Sequence, residues 1–304
     1  MDRKQLLASA GAALGLAALG SRPGRTAEMS EDELRKLGKT DLKIALQPGM
    51  FRLQMIEAID QIARHGFPAV ESLSVDATQI DAIRKKLDET GVVWQCIGGV
   101  GSIGNPAKWK EGLGLSAEEE HDQIEKRFRE RCDQAKRLNI KRVLCLTGQK
   151  RQDIPAEKQT ELIVKGLKRL GPIAQEAGVT IVLEILNVLV NHPGYFLVYS
   201  PQGAEIVKAV GHPNVKMLYD IYHQQISEGN LCNNIKKHID CIGHFHIGDN
   251  PGRQYPGTGE INYKNVFRAV HETKYDGYLA MECGYGGKTP LEIMKIMHDL
   301  TTVA

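Results

Sequence analysis

An excess of charge of either sign is missing from this 304-residue sequence. Its 39 Lys and Arg are set against 37 Asp and Glu, for a net charge of +2, and no dense basic block interrupts the part expected to fold. Binding to nucleic acid or to a membrane surface through bulk electrostatics therefore has no support. Paired cysteines are missing too. Cys96, Cys132, Cys145, Cys232, Cys241 and Cys283 are scattered without a CxxC spacing, which argues against a disulfide framework. Most of them fall in apolar segments, where a reduced thiol behaves as a small buried hydrophobe. A chain of this length buries enough surface to fold without disulfides or a structural metal.

Long hydrophobic runs are confined to the N-terminus. Residues 1–30 carry a basic start at Arg3 and Lys4, an apolar run from Leu6 to Leu19, and small residues where a peptidase could cut near Gly20 or Ala27. This is the layout of an export signal, too short for a membrane span. Arg3-Lys4-Gln5-Leu6-Leu7 resembles a twin-arginine signal without its second arginine. Export to the periplasm is the expectation, with no membrane association once the leader is removed. A non-functional leader would leave the protein cytoplasmic.

From residue 42 the chain alternates. Short β-branched or apolar runs stand at Leu42–Leu46, Ala69–Leu73, Val92–Ile97, Arg142–Leu146, Thr180–Leu186, Val215–Asp220, Cys241–Ile247 and Tyr278–Glu282. Between them lie stretches such as QIDAIRKKLDETG and KQTELIVKGLKRLGPIAQEAG, with apolar residues three and four apart and a glycine at the end. Strand–helix alternation implies parallel pairing, because parallel strands need a crossover long enough for a helix. Eight repeats over about 260 residues match a single-domain (β/α)8 TIM barrel over residues 40–304. An open doubly wound sheet would carry a glycine-rich phosphate loop after its first strand, and ALQPGMF at Ala45–Phe51 is not one.

In such a barrel the C-terminal ends of the strands face the active site. The last four expected strands end in Glu184 with Asn187, Asp220 with His223, His244 with His246 and Asp249, and Glu282. Carboxylates at the ends of apolar buried strands need charge compensation. A divalent metal between Glu184, Asp220, His246 and Glu282 supplies it for all four at once. These donors suit Mn²⁺ or Mg²⁺ first and leave Co²⁺ and Zn²⁺ open. His244 is expected to point away, toward the helices. The first three strands, ending in Gln47, Ser72 and Ile97, show no further ligand cluster, which argues against a three-metal endonuclease.

YDIYHQQISEGN (Tyr219–Asn230) and IGDNPGRQYPGTGEINY (Ile247–Tyr263) closely resemble the hydroxypyruvate isomerase family of xylose isomerase-like barrels. The resemblance extends more loosely over residues 42–300. It implies that Glu184 and Glu282 are the acid–base pair as well as metal ligands, that His223 and Arg253 reach the substrate's oxygens, and that Glu260 sits in the loop shaping the pocket. It also implies a small hydroxy-carbonyl or sugar substrate and a homodimer. Two departures stand out. Hydroxypyruvate isomerases usually have glutamine where His246 stands, whereas ketose 3-epimerases carry histidine. They continue Tyr-Lys-Pro after the last Glu, where this chain has Cys283-Gly284-Tyr285-Gly286-Gly287. A ketose 3-epimerase or related sugar isomerase is therefore the alternative activity.

Overall fold

Strands form where the sequence offers runs of apolar and β-branched residues too short to make an amphipathic helix. A computed structural model describes residues 29–101 and 114–304. Its strands are β1 (Lys43–Leu46), β2 (Ala69–Val70), β3 (Val93–Trp94), β4 (Cys96–Gly98), β5 (Arg142–Cys145), β6 (Thr180–Glu184), β7 (Val215–Asp220), β8 (Ile242–Ile247) and β9 (Tyr278–Met281). All pair in parallel, and β1 closes onto β9 through Lys43↔Tyr278 and Ala45↔Ala280. Most of the leader, through residue 28, lies outside the described residues. Among the described residues no helix is long and apolar enough to cross a membrane.

Nine strands here still make an eightfold barrel. β3 bonds only to β2 and β4 only to β5, so the two are halves of one barrel strand interrupted at Gln95. The run Val92–Ile97 is thus not the continuous strand its composition suggests. Across the break the Gln95 N–H donates to Val70 O at 3.1 Å and the Gly98 N–H to Leu73 O at 3.0 Å. Just past β4 the chain runs close against β5: a Cβ on Gly99 would lie 2.4 Å from Leu144 O, so only glycine fits.

The helices pack outside in the expected order: α1 (Glu31–Lys36), α2 (Met55–Arg64), α3 (Ile80–Thr90), α4 (His121–Leu138), α5 (Ala156–Ala177), α6 (Ser200–Val210), α7 (Ile221–Ser227), α8 (Leu231–His238), α9 (Tyr263–Glu272) and α10 (Pro290–Thr301). The glycine stops behave as read. Gly91 and Gly178 end α3 and α5 with φ of 73° and 68°, a conformation that costs glycine little.

Two apolar layers result. The large one lies between sheet and helices and includes Phe67, Phe128, Phe245 and Phe267. The barrel lumen holds a smaller set, Cys96, Leu144, Val182 and Leu218. A third group is only alanine: Ala45, Ala69 and Ala280, on β1, β2 and β9, are adjacent in register. Small side chains on three neighbouring strands leave room in the lumen, and bulky polar groups from β8 fill it. All six cysteines are free.

Candidate functional site

The predicted ligands converge at the C-terminal rim. Glu184 ends β6 and Asp220 ends β7, where it also caps α7 by accepting the His223 N–H at 3.2 Å. His246 stands in register with Asp220 on one side and Ala280 on the other. Glu282 follows β9, its N–H donating to Ile247 O at 3.0 Å. One donor atom from each of the four lies within 4.8 Å of the others. Residues two apart on a strand share a face, so Val182 and Glu184, Leu218 and Asp220, and Ala280 and Glu282 all point inward.

Burial and mutual repulsion shape the protonation of this cluster. Burial first, then the nearby Glu282 and Asp220 carboxylates, raise the Glu184 pKa to about 7. Burial also pushes Asp220 upward, but His223 and Arg253 outweigh it and hold the carboxyl below its usual value. Glu282 is lowered likewise, with His246 and then Arg253 overcoming the effect of burial. Two neighbouring carboxylates with divided proton affinities are the arrangement that acid–base chemistry at neutral pH requires.

These residues fit a divalent metal. His246 Nδ1 is buried, 2.7 Å from Glu282 Oε2 and 3.4 Å from Glu184 Oε1, and against the effect of burial Glu282 and then Glu71 hold the ring's pKa well above its usual value. Three carboxylates converge on that one nitrogen. An ion accepting the lone pair of Nδ1 and an oxygen from each carboxylate would satisfy all of them.

Around the cluster, the other predicted residues divide. His223 is fully buried; its Nδ1 accepts from the Asn187 N–H at 3.3 Å and lies 2.6 Å from Asn187 Nδ2. Its Nε2 stands 3.5 Å from Asp220 Oδ2 with no hydrogen-bond partner. Burial lowers its pKa to about 4, so the ring is neutral with its proton on Nε2, facing the cluster. Arg253 Nη2 donates to Asp220 Oδ2 at 2.8 Å and to Glu282 Oε2 at 2.7 Å, and its guanidinium lies over the Tyr222 ring at 5.1 Å. Glu260 is not brought into the cluster. Its exposed carboxylate accepts from Asn250 Nδ2 at 2.7 Å and Gln225 Nε2 at 3.2 Å, holding the loop rather than facing the ligands.

The loop carrying Arg253 is organised by Asp249, fully buried at the end of β8. Its Oδ2 accepts the N–H groups of Gly257 (2.8 Å) and Gly259 (3.0 Å), and its Oδ1 those of Asn250 (2.9 Å) and Ile261 (3.2 Å). One side chain thereby gathers four backbone donors of the Pro-Gly-Thr-Gly turn and its flanks.

Two sequence expectations fail in the lumen. His244 does not turn toward the helices: positions 244 and 246 share a face, and its Nε2 lies 2.9 Å from Glu71 Oε2. Nor are the early strands free of ligand-type residues. Glu71, fully buried just after β2, meets His246 Nε2 through Oε1 at 2.7 Å, and Gln95 Nε2 donates to its other oxygen. The signal was present: a carboxylate two residues after the inward-facing Ala69 must face inward.

The description of the family model that matches residues 59–298 is a xylose isomerase-like TIM barrel. A Danio rerio protein provisionally named hydroxypyruvate isomerase is 31% identical over 243 residues, covering 75% of this chain and 83% of its own. The chain belongs to the hydroxypyruvate isomerase family of xylose isomerase-like barrels. A 2-oxo-tetronate isomerase of Cupriavidus necator is 30% identical over 220 residues, covering 72% of this chain and 83% of its own. Among solved structures, the IOLI protein with a bound zinc atom superposes with a TM-score of 0.69 at 19% identity, over 86% of this chain and 98% of its own. The protein is therefore an isomerase acting on a sugar or keto acid, and its strand-end carboxylates and histidine could bind a metal.

Proposed function

We propose that this isomerase interconverts hydroxypyruvate and tartronate semialdehyde at a single divalent metal, Mn²⁺ or Mg²⁺, held by Glu184, Asp220, His246 and Glu282. The observation that carries the reading is the meeting of buried Glu184 and Asp220 and half-buried Glu282 at Nδ1 of His246. The names of the relatives support a keto-acid substrate.

The reaction moves a proton between adjacent carbons: C3 of hydroxypyruvate and its hydroxyl each give up a proton, an enediolate forms, and protons arrive at C2 and at the C2 oxygen. The ion, when bound, supplies Lewis-acid stabilisation of the negative charge developing on the two substrate oxygens. Glu184 and Glu282 stand on opposite sides of His246 in the barrel, on β6 and just beyond β9. One takes the proton from C3 and the other delivers a proton to C2. The high proton affinity of Glu184 suits it to hold the transferred proton near neutral pH. His223 offers its Nε2–H to a substrate oxygen, and the guanidinium of Arg253 matches a carboxylate in geometry and charge. Below the site, Glu71, Gln95 and His244 are fully buried in the barrel lumen.

A second reading, 3-epimerisation of a ketose, is favoured by histidine at position 246, and differs only in both carboxylates serving one carbon. Proton NMR of hydroxypyruvate with protein spanning residues 28–304 and Mn²⁺ or Mg²⁺ separates the two. Tartronate semialdehyde that disappears on chelation supports the first reading. No conversion of hydroxypyruvate, with solvent deuterium entering C3 of a ketose, replaces it with the second.

A further inference from the structure

We propose that Glu71 is a positioning residue for the metal, fixing the tautomer of His246 so that Nδ1 rather than Nε2 offers a lone pair to the rim. The inference rests on the metal reading above and extends it below the ligand layer. A neutral imidazole carries one proton, and the nitrogen that binds a cation must be the one without it. Glu71 Oε1 lies 2.7 Å from His246 Nε2 and can only accept there, which keeps a proton on Nε2 and leaves Nδ1, between Glu184 and Glu282, as the nitrogen an ion would take in place of a proton. A hydrogen-bonded carboxylate behind a ligating imidazole also makes the nitrogen a stronger donor.

The carboxylate is itself held still. Its second oxygen accepts from Gln95 Nε2 and lies 2.9 Å from His244 Nε2, which Gln95 Nε2 also approaches at 2.9 Å; His244 Nδ1 lies 3.0 Å from Tyr278 O. The His244 and His246 rings meet edge to face, 5.1 Å apart at 86°. Glu71, Gln95, His244 and His246 are all fully buried, so water cannot replace the acceptor. The break between β3 and β4 follows the same logic, because it lies at Gln95, which contacts Glu71.

Glu71→Leu removes the acceptor at similar volume, whereas Glu71→Gln keeps an oxygen able to accept from His246 Nε2. Zn²⁺ affinity and stoichiometry are measured by chelator competition, with circular dichroism to verify folding. The Nε2–H of His246 is followed by nitrogen-15 NMR of histidine-labelled, Zn²⁺-loaded protein. One Zn²⁺ per chain, an affinity about 100-fold weaker in Glu71→Leu, loss of the His246 Nε2–H signature there, and substantial rescue in Glu71→Gln are expected. Unchanged affinity and tautomer in both variants overturn the proposal while leaving the metal reading intact. Two Zn²⁺ per wild-type chain, falling to one in Glu71→Gln, overturn it by making Glu71 a ligand of a second ion. No binding by the wild type removes the metal reading and this proposal together.

Discussion

Replacing Asp249 by Asn perturbs the loop that carries Arg253 while changing neither size nor backbone. The aspartate accepts four N–H groups, two on each oxygen, at 2.8 to 3.2 Å. An asparagine keeps one acceptor oxygen and turns an NH₂ group toward the other two donors. At least two bonds to a charged acceptor are lost, each contributing about 1.5 kcal/mol at the low end of the usual range. The side chain is fully buried, so solvent does not make up the loss. The loop is expected to lose about 3 kcal/mol of local stability, equivalent to roughly 150-fold faster opening. The barrel itself stays folded, because none of the lost bonds joins one strand to another. Amide hydrogen exchange followed by mass spectrometry on peptides spanning 249–263 reads this directly. Wild-type exchange rates across that segment in Asp249→Asn would refute the claim that one carboxylate organises the loop.

Other consequences follow from the same structure. Glu184 holds its proton up to about pH 7 in the folded protein, against 4.5 for an ordinary glutamate. In chelator-treated protein, the stability this group confers is therefore complete below pH 4.5 and is lost as pH rises toward 7, by about 3 kcal/mol in all. Glu184→Gln should flatten that part of the curve of denaturation midpoint against pH. Phe245 is fully buried, its ring 5.0 Å from that of Tyr275 and 5.9 Å from that of Tyr219. Phe245→Ala should cost about 3–5 kcal/mol in chemical denaturation. Ala280→Leu forces a branched side chain into the alanine layer beside His246. It should cost about 1–3 kcal/mol and weaken metal binding, as titration with Mn²⁺ would show.

The barrel was legible because its signals are local and repeated. Apolar runs of five to seven residues, helical periodicity between them and glycine stops recur along the chain, and no tertiary contact is needed to read them. The rim carboxylates stood out for a related reason: a charged residue ending an apolar strand differs from its neighbours, as in TIVLE and VKMLYD. The lumen was harder. Glu71 follows only a two-residue strand in AVES, so no long apolar run announces it, and its partners His244 and His246 lie more than 170 positions away. His244 shares the inward face with His246, as the period of two requires, but its acceptor Glu71 is distant in sequence. Gln95 hides within VVWQCIG, where the run is continuous but the strand is not. The partners of Glu260 were equally invisible, since the Asn250 and Gln225 amides it accepts from belong to a loop and a neighbouring helix.

The central claim is that Glu184 and Glu282 pass a proton between adjacent carbons of a keto acid. The most direct measurement follows hydroxypyruvate in D₂O with the Mg²⁺-loaded wild type, Glu184→Gln and Glu282→Gln by proton and deuterium NMR. The account predicts tartronate semialdehyde carrying solvent deuterium at C2 from the wild type, and at least about 100-fold slower turnover from each folded variant. Turnover near the wild-type rate in either variant would contradict it.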